Sequence, residues 1–281
     1  MIIDCHTHIF PREFREGRER LFPGEPSFKA VYKTPGSKLA GVSELLGDMD
    51  EQGVDKSLVF GFPWHQEDLF RRHNDYILEA VQRHPRRLIG LCCFSPLASG
   101  GAREAERCLQ SGLSGVGELA VYRSGLTARV SEAMGSVMAV CMERDVPLML
   151  HTNEPVGHRY PGKSPMTLSQ IYAFLRSYPS NRILLAHWGG GLLFYALMKK
   201  EVRKVMENAW FDTAASPFLY RPDIYMLAGG IIGFDRIVFG SDYPLLKPRR
   251  YLEEMENAGL PASAMEKVTC RNAQSLFRIP P

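Results

Sequence analysis

The sequence lacks the features of a membrane protein, a nucleic-acid-binding protein and a secreted protein. None of its apolar runs approaches the about 20 residues of a membrane span. The 34 lysines and arginines against 31 aspartates and glutamates leave a net charge of +3, too balanced to predict nucleic acid or an acidic membrane as a partner. The first residues lack the basic stretch and long apolar segment of a secretory signal. We therefore expect a cytoplasmic protein that binds neither nucleic acid nor membrane.

The cysteines also lack a Cys-x-x-Cys pair, which argues against a zinc ribbon or a disulfide framework. We expect reduced, mostly buried thiols at Cys5, Cys92, Cys93, Cys108, Cys141 and Cys270. A chain of 281 residues buries about three-quarters of its unfolded surface and folds without such cross-links. No proline- or serine-rich linker, charge block or repeat divides it, so we predict a single domain over residues 1–281.

Short apolar runs alternate with segments of helical period along the whole chain. The predicted strands lie around residues 1–6, 56–60, 88–93, 115–119, 147–151, 182–187, 209–213 and 236–240. The predicted helices lie around residues 39–49, 69–84, 101–111, 130–141, 167–178, 191–207, 220–228, 249–258 and 262–277. Eight strand–helix units in one domain favour the α/β class and a closed (β/α)₈ TIM barrel. Periodicity alone leaves a doubly wound open sheet as the alternative.

Two long connections, residues 9–38 and 152–166, are expected on the C-terminal face of the barrel, where the loops after the strands build active sites. Residues 9–38 are either a solvated excursion or a lid over the site. The second connection carries His158, Arg159 and Lys163, and Trp64 follows the second strand. We predict that these four residues bind the substrate, since converging cations suit an anionic small molecule.

Charged or imidazole side chains follow five of the predicted strands. His6 and His8 end the first strand two positions apart, so strand alternation directs both imidazoles to one face. The other strand ends carry Glu118, His151, His187 and Asp242. These groups are costly to bury alone, whereas one central cation satisfies all of them. The sequence therefore predicts a divalent metal centre, with zinc as the expected ion.

These motifs together resemble the amidohydrolase superfamily, and in particular its amidohydrolase-2 branch. The resemblance covers the whole chain and rests on Asp4-Cys5-His6-Thr7-His8, Gly117-Glu118, His151, His187-Trp188-Gly189-Gly190-Gly191, Gly240-Ser241-Asp242-Tyr243-Pro244 and Asn272-Ala273. It implies that His6, His8 and Asp242 bind one divalent ion. His151 and His187 would bind a second ion, or one would bind and the other would assist catalysis.

The sequence departs from many two-metal relatives at strand four. They bridge their ions with a carboxylated lysine, but no lysine lies between Lys56 and Lys163. Glu118 is the remaining candidate for a bridge, which leaves both a one-ion and a two-ion centre open. Val116 has the same strand parity as Glu118 and is expected to fill the layer beneath it in the barrel.

We predict a metal-dependent hydrolase that cleaves an amide, lactone or other ester bond of a small molecule with metal-activated water. Asp242 would accept the proton of that water, and His187 is the second catalytic candidate. The alternative is a metal-dependent decarboxylase of a small aromatic or unsaturated acid, a class that shares Gly-Ser-Asp-Tyr-Pro. A catalytically silent barrel is a third hypothesis, and a homo-oligomer is compatible with each of them.

Overall fold

Eight short parallel strands alternate with helices in the computed structural model, which describes residues 1–280. The strands are β1 (Ile3–His8), β2 (Lys56–Phe60), β3 (Leu88–Gly90), β4 (Val116–Leu119), β5 (Leu148–Leu150), β6 (Ile183–Leu185), β7 (Ala209–Asp212) and β8 (Ile237–Val238). The helices are α1 (Arg12–Glu16), α2 (Pro26–Tyr32), α3 (Val42–Gln52), α4 (Glu67–Arg83), α5 (Gly101–Gln110), α6 (Ala128–Ala133), α7 (Gly135–Glu143), α8 (Leu168–Ser177), α9 (Lys200–Val205), α10 (Ser216–Leu219), α11 (Ile224–Ile232), α12 (Pro248–Asn257), α13 (Ala262–Glu266) and α14 (Asn272–Phe277).

Each strand pairs in parallel with its sequence neighbour, in runs β1–β2–β3 and β4 to β8. Isolated bridges join the two runs at Cys92 and Val116 and at Thr7 and Tyr243. The ring of strands is therefore closed. The predicted (β/α)₈ barrel is confirmed, and the doubly wound open sheet is wrong.

Two apolar clusters stabilise the barrel, because the strands are covered on both faces. The larger cluster joins outward-facing strand residues to the helices. The smaller one fills the interior with Ile3, Cys5, Leu58, Phe60, Leu91, Cys93, Met149, Leu184, Ala186 and Val238, together with Cys270, Ala273, Leu276 and Phe277 from the C-terminal end of the chain. This packed interior supports the polar side chains at the carboxyl ends of the strands.

Strand β4 departs from simple alternation. Its pairing with β5 shifts register between Val116 and Leu119, and Val116 packs in the cluster against the helices. The expectation that Val116 lies beneath Glu118 is therefore wrong. Gly117 has φ +141°, and a Cβ there would lie 2.5 Å from the Cβ of Met149. Only glycine fits this close approach, which turns Glu118 toward the centre of the barrel.

The long connection after β1 forms α1, a short 3₁₀ turn and α2, and it is fixed to the barrel. The rings of Phe14 and Phe28 are almost completely buried. The carboxylate of Glu25 is buried too and accepts hydrogen bonds from the backbone N–H groups of His65 and Gln66, just before α4. The hypothesis of a solvated excursion is therefore wrong for this segment, which we call the β1 insert (residues 9–38).

The segment after β6 differs from the predicted helix over residues 191–207. Four consecutive residues from Trp188 to Gly191 have φ between 59° and 90°, a left-handed conformation that favours glycine. A Cβ on Gly190 would collide with the carbonyl oxygen of Asn153. The glycine run therefore forms a close turn after His187, residues 192–197 form a 3₁₀ helix, and only α9 is α-helical. The predicted helix over residues 262–277 is also interrupted, by a π-helical turn at Lys267–Arg271.

Among residues 1–280, no helix combines the length and the apolar character that a membrane crossing requires.

Candidate metal centre

The six predicted metal-binding side chains converge at the carboxyl ends of the strands. They come from β1, β4 and the segments directly after β5, β6 and β8, and they are His6, His8, Glu118, His151, His187 and Asp242. The side chain of Asp242 is 17% exposed and that of His8 is 11% exposed, whereas those of His6 and Glu118 are almost completely buried. The site is thus a polar pocket that opens on one side of the barrel.

The distances between the donor atoms fit coordination of one cation by His6, His8, Glu118 and Asp242. Nε2 of His6 lies 3.3 Å from Nε2 of His8. Oδ1 of Asp242 lies 3.4 Å from the first nitrogen and 3.5 Å from the second. Oε2 of Glu118 is 3.7 and 3.8 Å from the same two nitrogens. Metal bonds of about 2.1 Å at octahedral to tetrahedral angles place neighbouring donors about 3.0–3.4 Å apart, so the set needs little adjustment.

Outer hydrogen bonds orient three of the imidazoles toward the pocket. Nδ1 of His6 donates to Oδ2 of Asp212 at 2.9 Å, and Nδ1 of His8 faces the carbonyl oxygen of Gly61 at 3.3 Å. Nδ1 of His187 donates to the carbonyl oxygen of Ala214 at 3.1 Å. Since Nδ1 carries a proton in each ring, Nε2 is the atom directed at the carboxylate oxygens of the pocket. Those oxygens only accept hydrogen bonds, so either a second proton on the ring or a cation must lie between.

The electrostatics of the pocket also favour a cation. Burial opposes a charged imidazole, but the carboxylates of Glu118, Asp212 and Asp242 outweigh it and raise the pKa of His6 to about 10. For His187, the nearby carboxylates of Glu118 and Asp242 outweigh burial in the same way and raise its pKa to about 9. The buried carboxylates thus require positive charge, which a divalent ion supplies when it replaces these protons.

His151 is held differently from the other three histidines. Its Nδ1 lies 2.9 Å from Oε1 of Glu118, and its Nε2 lies 3.1 Å from the carbonyl oxygen of Gly162. Glu118 therefore belongs to two groups of donors, one with His6 and His8 and one with His151 and His187. This shared carboxylate is compatible with one ion or with two.

Asp212 is a functional candidate that the sequence analysis missed. It ends β7 and is fully buried. Its Oδ2 accepts the hydrogen bond from His6, and its Oδ1 accepts from the backbone N–H groups of His187 and Ala214 at 2.7 and 3.0 Å. The signal was present in the sequence, because Asp212 follows the rule that polar side chains end the strands.

We expect Asp212→Asn to weaken binding of the divalent metal ion about 10- to 100-fold, the usual cost of losing an outer hydrogen bond to a ligand. An asparagine side chain binds the His6 ring more weakly and removes the negative charge next to its Nδ1. Equilibrium titration with a metal buffer measures the affinity. Asp235→Asn is the matched control, since Asp235 is exposed and pairs only with Lys267. Equal affinities for wild type and Asp212→Asn would contradict this role.

The structure does not bring the four predicted substrate-binding residues together at the centre. Lys163 Nζ donates to Oε1 of Glu154 at 2.6 Å and to the carbonyl oxygen of His158, so its charge is already paired. Trp64 is fully buried, and its indole N–H donates to Nδ1 of His73. His158 and Arg159 are exposed on the loop after β5. Sequence alone could not reveal that Glu154 pairs with Lys163 or that Trp64 turns into the core.

Comparison with known proteins identifies a family and several relatives. A family model described as "Amidohydrolase" matches residues 3–279. A gamma-resorcylate decarboxylase of Polaromonas sp. strain JS666 is 27% identical, in an alignment that covers 82% of this chain and 85% of the relative.

Two solved structures resemble the fold along almost its whole length. The first is a 5-carboxyvanillate decarboxylase of Novosphingobium aromaticivorans with manganese and 4-hydroxy-3-methoxy-5-nitrobenzoic acid, which is 18% identical with a TM-score of 0.79 over 99% of this chain and 96% of that one. The second is a dihydroxybenzoic acid decarboxylase of Polaromonas sp. JS666 with manganese and 2-nitroresorcinol, 20% identical with a TM-score of 0.73 over 99% and 97% of the two chains.

These relatives correct two expectations. Hydrolysis of an amide, lactone or other ester is wrong as the leading function, because the curated relative and both solved structures are decarboxylases. They favour the alternative that the sequence analysis left open. The expectation of zinc is wrong as well, since both solved structures contain manganese. The expectation of a divalent metal ion is itself confirmed.

Proposed function

The chain belongs to the amidohydrolase family, and on this premise we propose that it is a manganese-dependent decarboxylase of a small aromatic carboxylic acid. The observation that carries the proposal is the similarity to a gamma-resorcylate decarboxylase over most of both chains, in a protein whose strand ends bring together imidazoles and carboxylates that suit a metal ion. The carboxylate of such a substrate also accounts for the anionic group that the sequence analysis expected.

Aromatic side chains beside the metal centre support an aromatic substrate. The ring of Tyr122 lies 5.1 Å from the ring of His151. It stacks on Phe62 with a centroid distance of 5.8 Å and an interplanar angle of 13°. Flat apolar faces next to a polar centre suit a ring that carries a carboxylate, because aromatic rings prefer stacked or edge-to-face contacts.

Decarboxylation breaks the bond between the ring carbon and the carboxylate. The electron pair stays on the ring carbon, which then takes a proton, and CO₂ leaves. His6, His8, Glu118 and Asp242 would hold a divalent ion, which would supply Lewis-acid attraction for substrate oxygen atoms. The chain itself must therefore bind the ring, orient it and deliver the proton.

We assign proton delivery to Asp242. Its Oδ1 faces the Nε2 atoms of His6 and His8, which leaves Oδ2 to take up a proton from solvent and pass it to the ring carbon. Burial opposes the ionised form, but the neighbouring imidazoles outweigh it and hold the pKa of Asp242 below its usual value, so the protonated form is short-lived. Its side chain is also more exposed than those of the other donors. His187 is assigned the neighbouring position, where its Nε2, 3.6 Å from Oε1 of Glu118, binds a metal ion or moves a proton. In each role a fixed side chain acts at short range, as general acid–base catalysis requires.

A direct test incubates the manganese-loaded protein with 2,6-dihydroxybenzoate, 5-carboxyvanillate and the methyl esters of both. We expect CO₂ and the corresponding arene in equal amounts from at least one acid, and no ester cleavage. Hydrolysis of the esters without release of CO₂ from either acid would contradict the proposal. Protein heated until it unfolds is the control for spontaneous loss of CO₂.

A further inference from the structure

We propose that the hydroxyl groups of Tyr32 and Tyr122 hydrogen-bond a polar substituent on the ring of the aromatic acid and so select substrates by their ring substitution. We call these two residues the phenol pair. The inference rests on the proposed function, because it assigns the specificity of that same site. It adds a chemical class, an aromatic acid with at least one oxygen-bearing ring substituent besides the carboxylate.

The two tyrosines reach the same space from different parts of the chain. Tyr122 lies directly after β4 and packs near His151, and Tyr32 ends α2 in the β1 insert. Phe62 connects them, because it stacks on Tyr122 at 5.8 Å and meets Tyr32 edge to face at 5.9 Å. The phenol pair thus lies on either side of Phe62, next to the metal centre.

Neither hydroxyl of the phenol pair has a hydrogen-bond partner among residues 1–280, although both side chains are only partly exposed. By contrast, the partly buried Tyr178 has one, because its hydroxyl donates to the carbonyl oxygen of Ser131. Because neither hydroxyl of the pair is a sealed, unpartnered atom, each reaches open space, where a bound ring can meet it.

The position of Tyr32 is fixed rather than loose. Its ring packs against Phe28 at 4.9 Å and Phe10 at 5.5 Å, and both phenylalanines are fully buried. At the other end of α2, Glu25 is bonded to the backbone before α4. A preorganised hydroxyl costs little entropy when it binds a ligand, so it can discriminate between substituents.

The charge around Tyr32 keeps its hydroxyl a donor. Burial raises the pKa of Tyr32 well above its usual value, and the carboxylates of Asp242 and Glu118 raise it further. At neutral pH the phenol therefore keeps its proton. It can donate to a phenolic, methoxy or carboxylate oxygen on the ring of the substrate.

The test measures binding of two unreactive ring-substituted analogues, 2-nitroresorcinol and 4-hydroxy-3-methoxy-5-nitrobenzoic acid, with benzoate as the unsubstituted counterpart. Calorimetry is done on manganese-loaded wild type, Tyr32→Phe, Tyr122→Phe and the double variant, and metal content is measured for each. For the analogue that wild type binds more tightly, we expect Kd to rise about 3- to 10-fold in each single variant and about 10- to 100-fold in the double variant. Benzoate affinity should change less than twofold. Tyr172→Phe, on α8, is the matched control and should behave like wild type.

Three results would contradict the proposed role of the phenol pair. They are unchanged affinity of the variants for both analogues, an equal loss of affinity for benzoate, or no binding of any of these ligands by wild type. Equal loss for benzoate would show that the hydroxyls support packing rather than recognition. The proposed function fails separately. If wild type releases no CO₂ from any aromatic acid but the variants still bind the analogues more weakly, the proposed decarboxylation is wrong, while the proposed role of the phenol pair in binding is supported.

Discussion

Replacing Asp242 with asparagine is expected to slow CO₂ release by about 10²- to 10⁴-fold, the usual contribution of a positioned general acid. The amide is nearly isosteric with the carboxyl group, so the fold should persist. It still offers an oxygen to the metal through Oδ1, the atom that faces His6 and His8. Its second atom is an amide NH₂ group, however, which does not release a proton to carbon near neutral pH, so the ring carbon loses its proton donor.

This prediction is checked by steady-state CO₂ release at saturating manganese, together with metal analysis of the same samples. Asp68→Asn, at an exposed position on α4, is the matched control. If Asp242→Asn retains its metal and turns over at a rate near that of wild type, Asp242 is only a ligand. His187 would then be the remaining candidate for the proton donor.

Replacing His6 with alanine should have the second large effect, a loss of stoichiometric metal and of essentially all CO₂ release. Nε2 of His6 lies within 3.7 Å of donor atoms of His8, Glu118 and Asp242, so its removal opens the centre of the donor set. It also deprives Asp212 of a partner in the core, where an unpaired polar group is costly. Part of the loss could therefore come from the fold.

His8→Ala separates the two causes, because Nδ1 of His8 bonds only the carbonyl oxygen of Gly61. We expect His8→Ala to fold like wild type by circular dichroism and thermal melting and still to lose its metal. His84→Ala, at the end of α4, should keep both metal and activity. Full manganese content in His8→Ala, measured by elemental analysis after dialysis, would show that His8 does not bind the metal ion.

The convergence of the donor set could be predicted from the sequence, although the ligand roles of its members stay predictions. A closed parallel barrel brings the carboxyl ends of all strands to one face, so polar residues directly after apolar strands must meet there. This rule placed His6, Glu118 and Asp242 in one pocket. It required only the positions of the strands, and the structure reproduces these to within a few residues.

Features that depend on side-chain partners could not be predicted in the same way. Lys163 looked available for an anion until the loop folded Glu154 against it. Val116 was misplaced because β4 shifts register where Gly117 approaches Met149. Tyr32 was overlooked because the β1 insert has no periodicity that fixes its orientation. Each case turns on a contact between segments distant in sequence.

The reaction type could not be decided from the strand ends either. Hydrolysis and decarboxylation use the same kinds of donor on the same barrel, so His6, His8 and Asp242 are equally compatible with both. The difference lies in what surrounds the metal, such as the stacked rings of Phe62 and Tyr122. A fold supports many chemistries by variation of its loops, and those loops are the part of this sequence with the weakest pattern.

The most direct test of the central claim is a manganese titration of metal-stripped protein in which CO₂ release from 2,6-dihydroxybenzoate or 5-carboxyvanillate is followed as metal is added. We predict no release above background before addition. We then predict a rise in proportion to bound manganese, with a break at one or two ions per chain, and reversal by a chelator. Full CO₂ release by protein shown to contain no metal, or no release at saturating manganese while an ester is cleaved, would contradict the account.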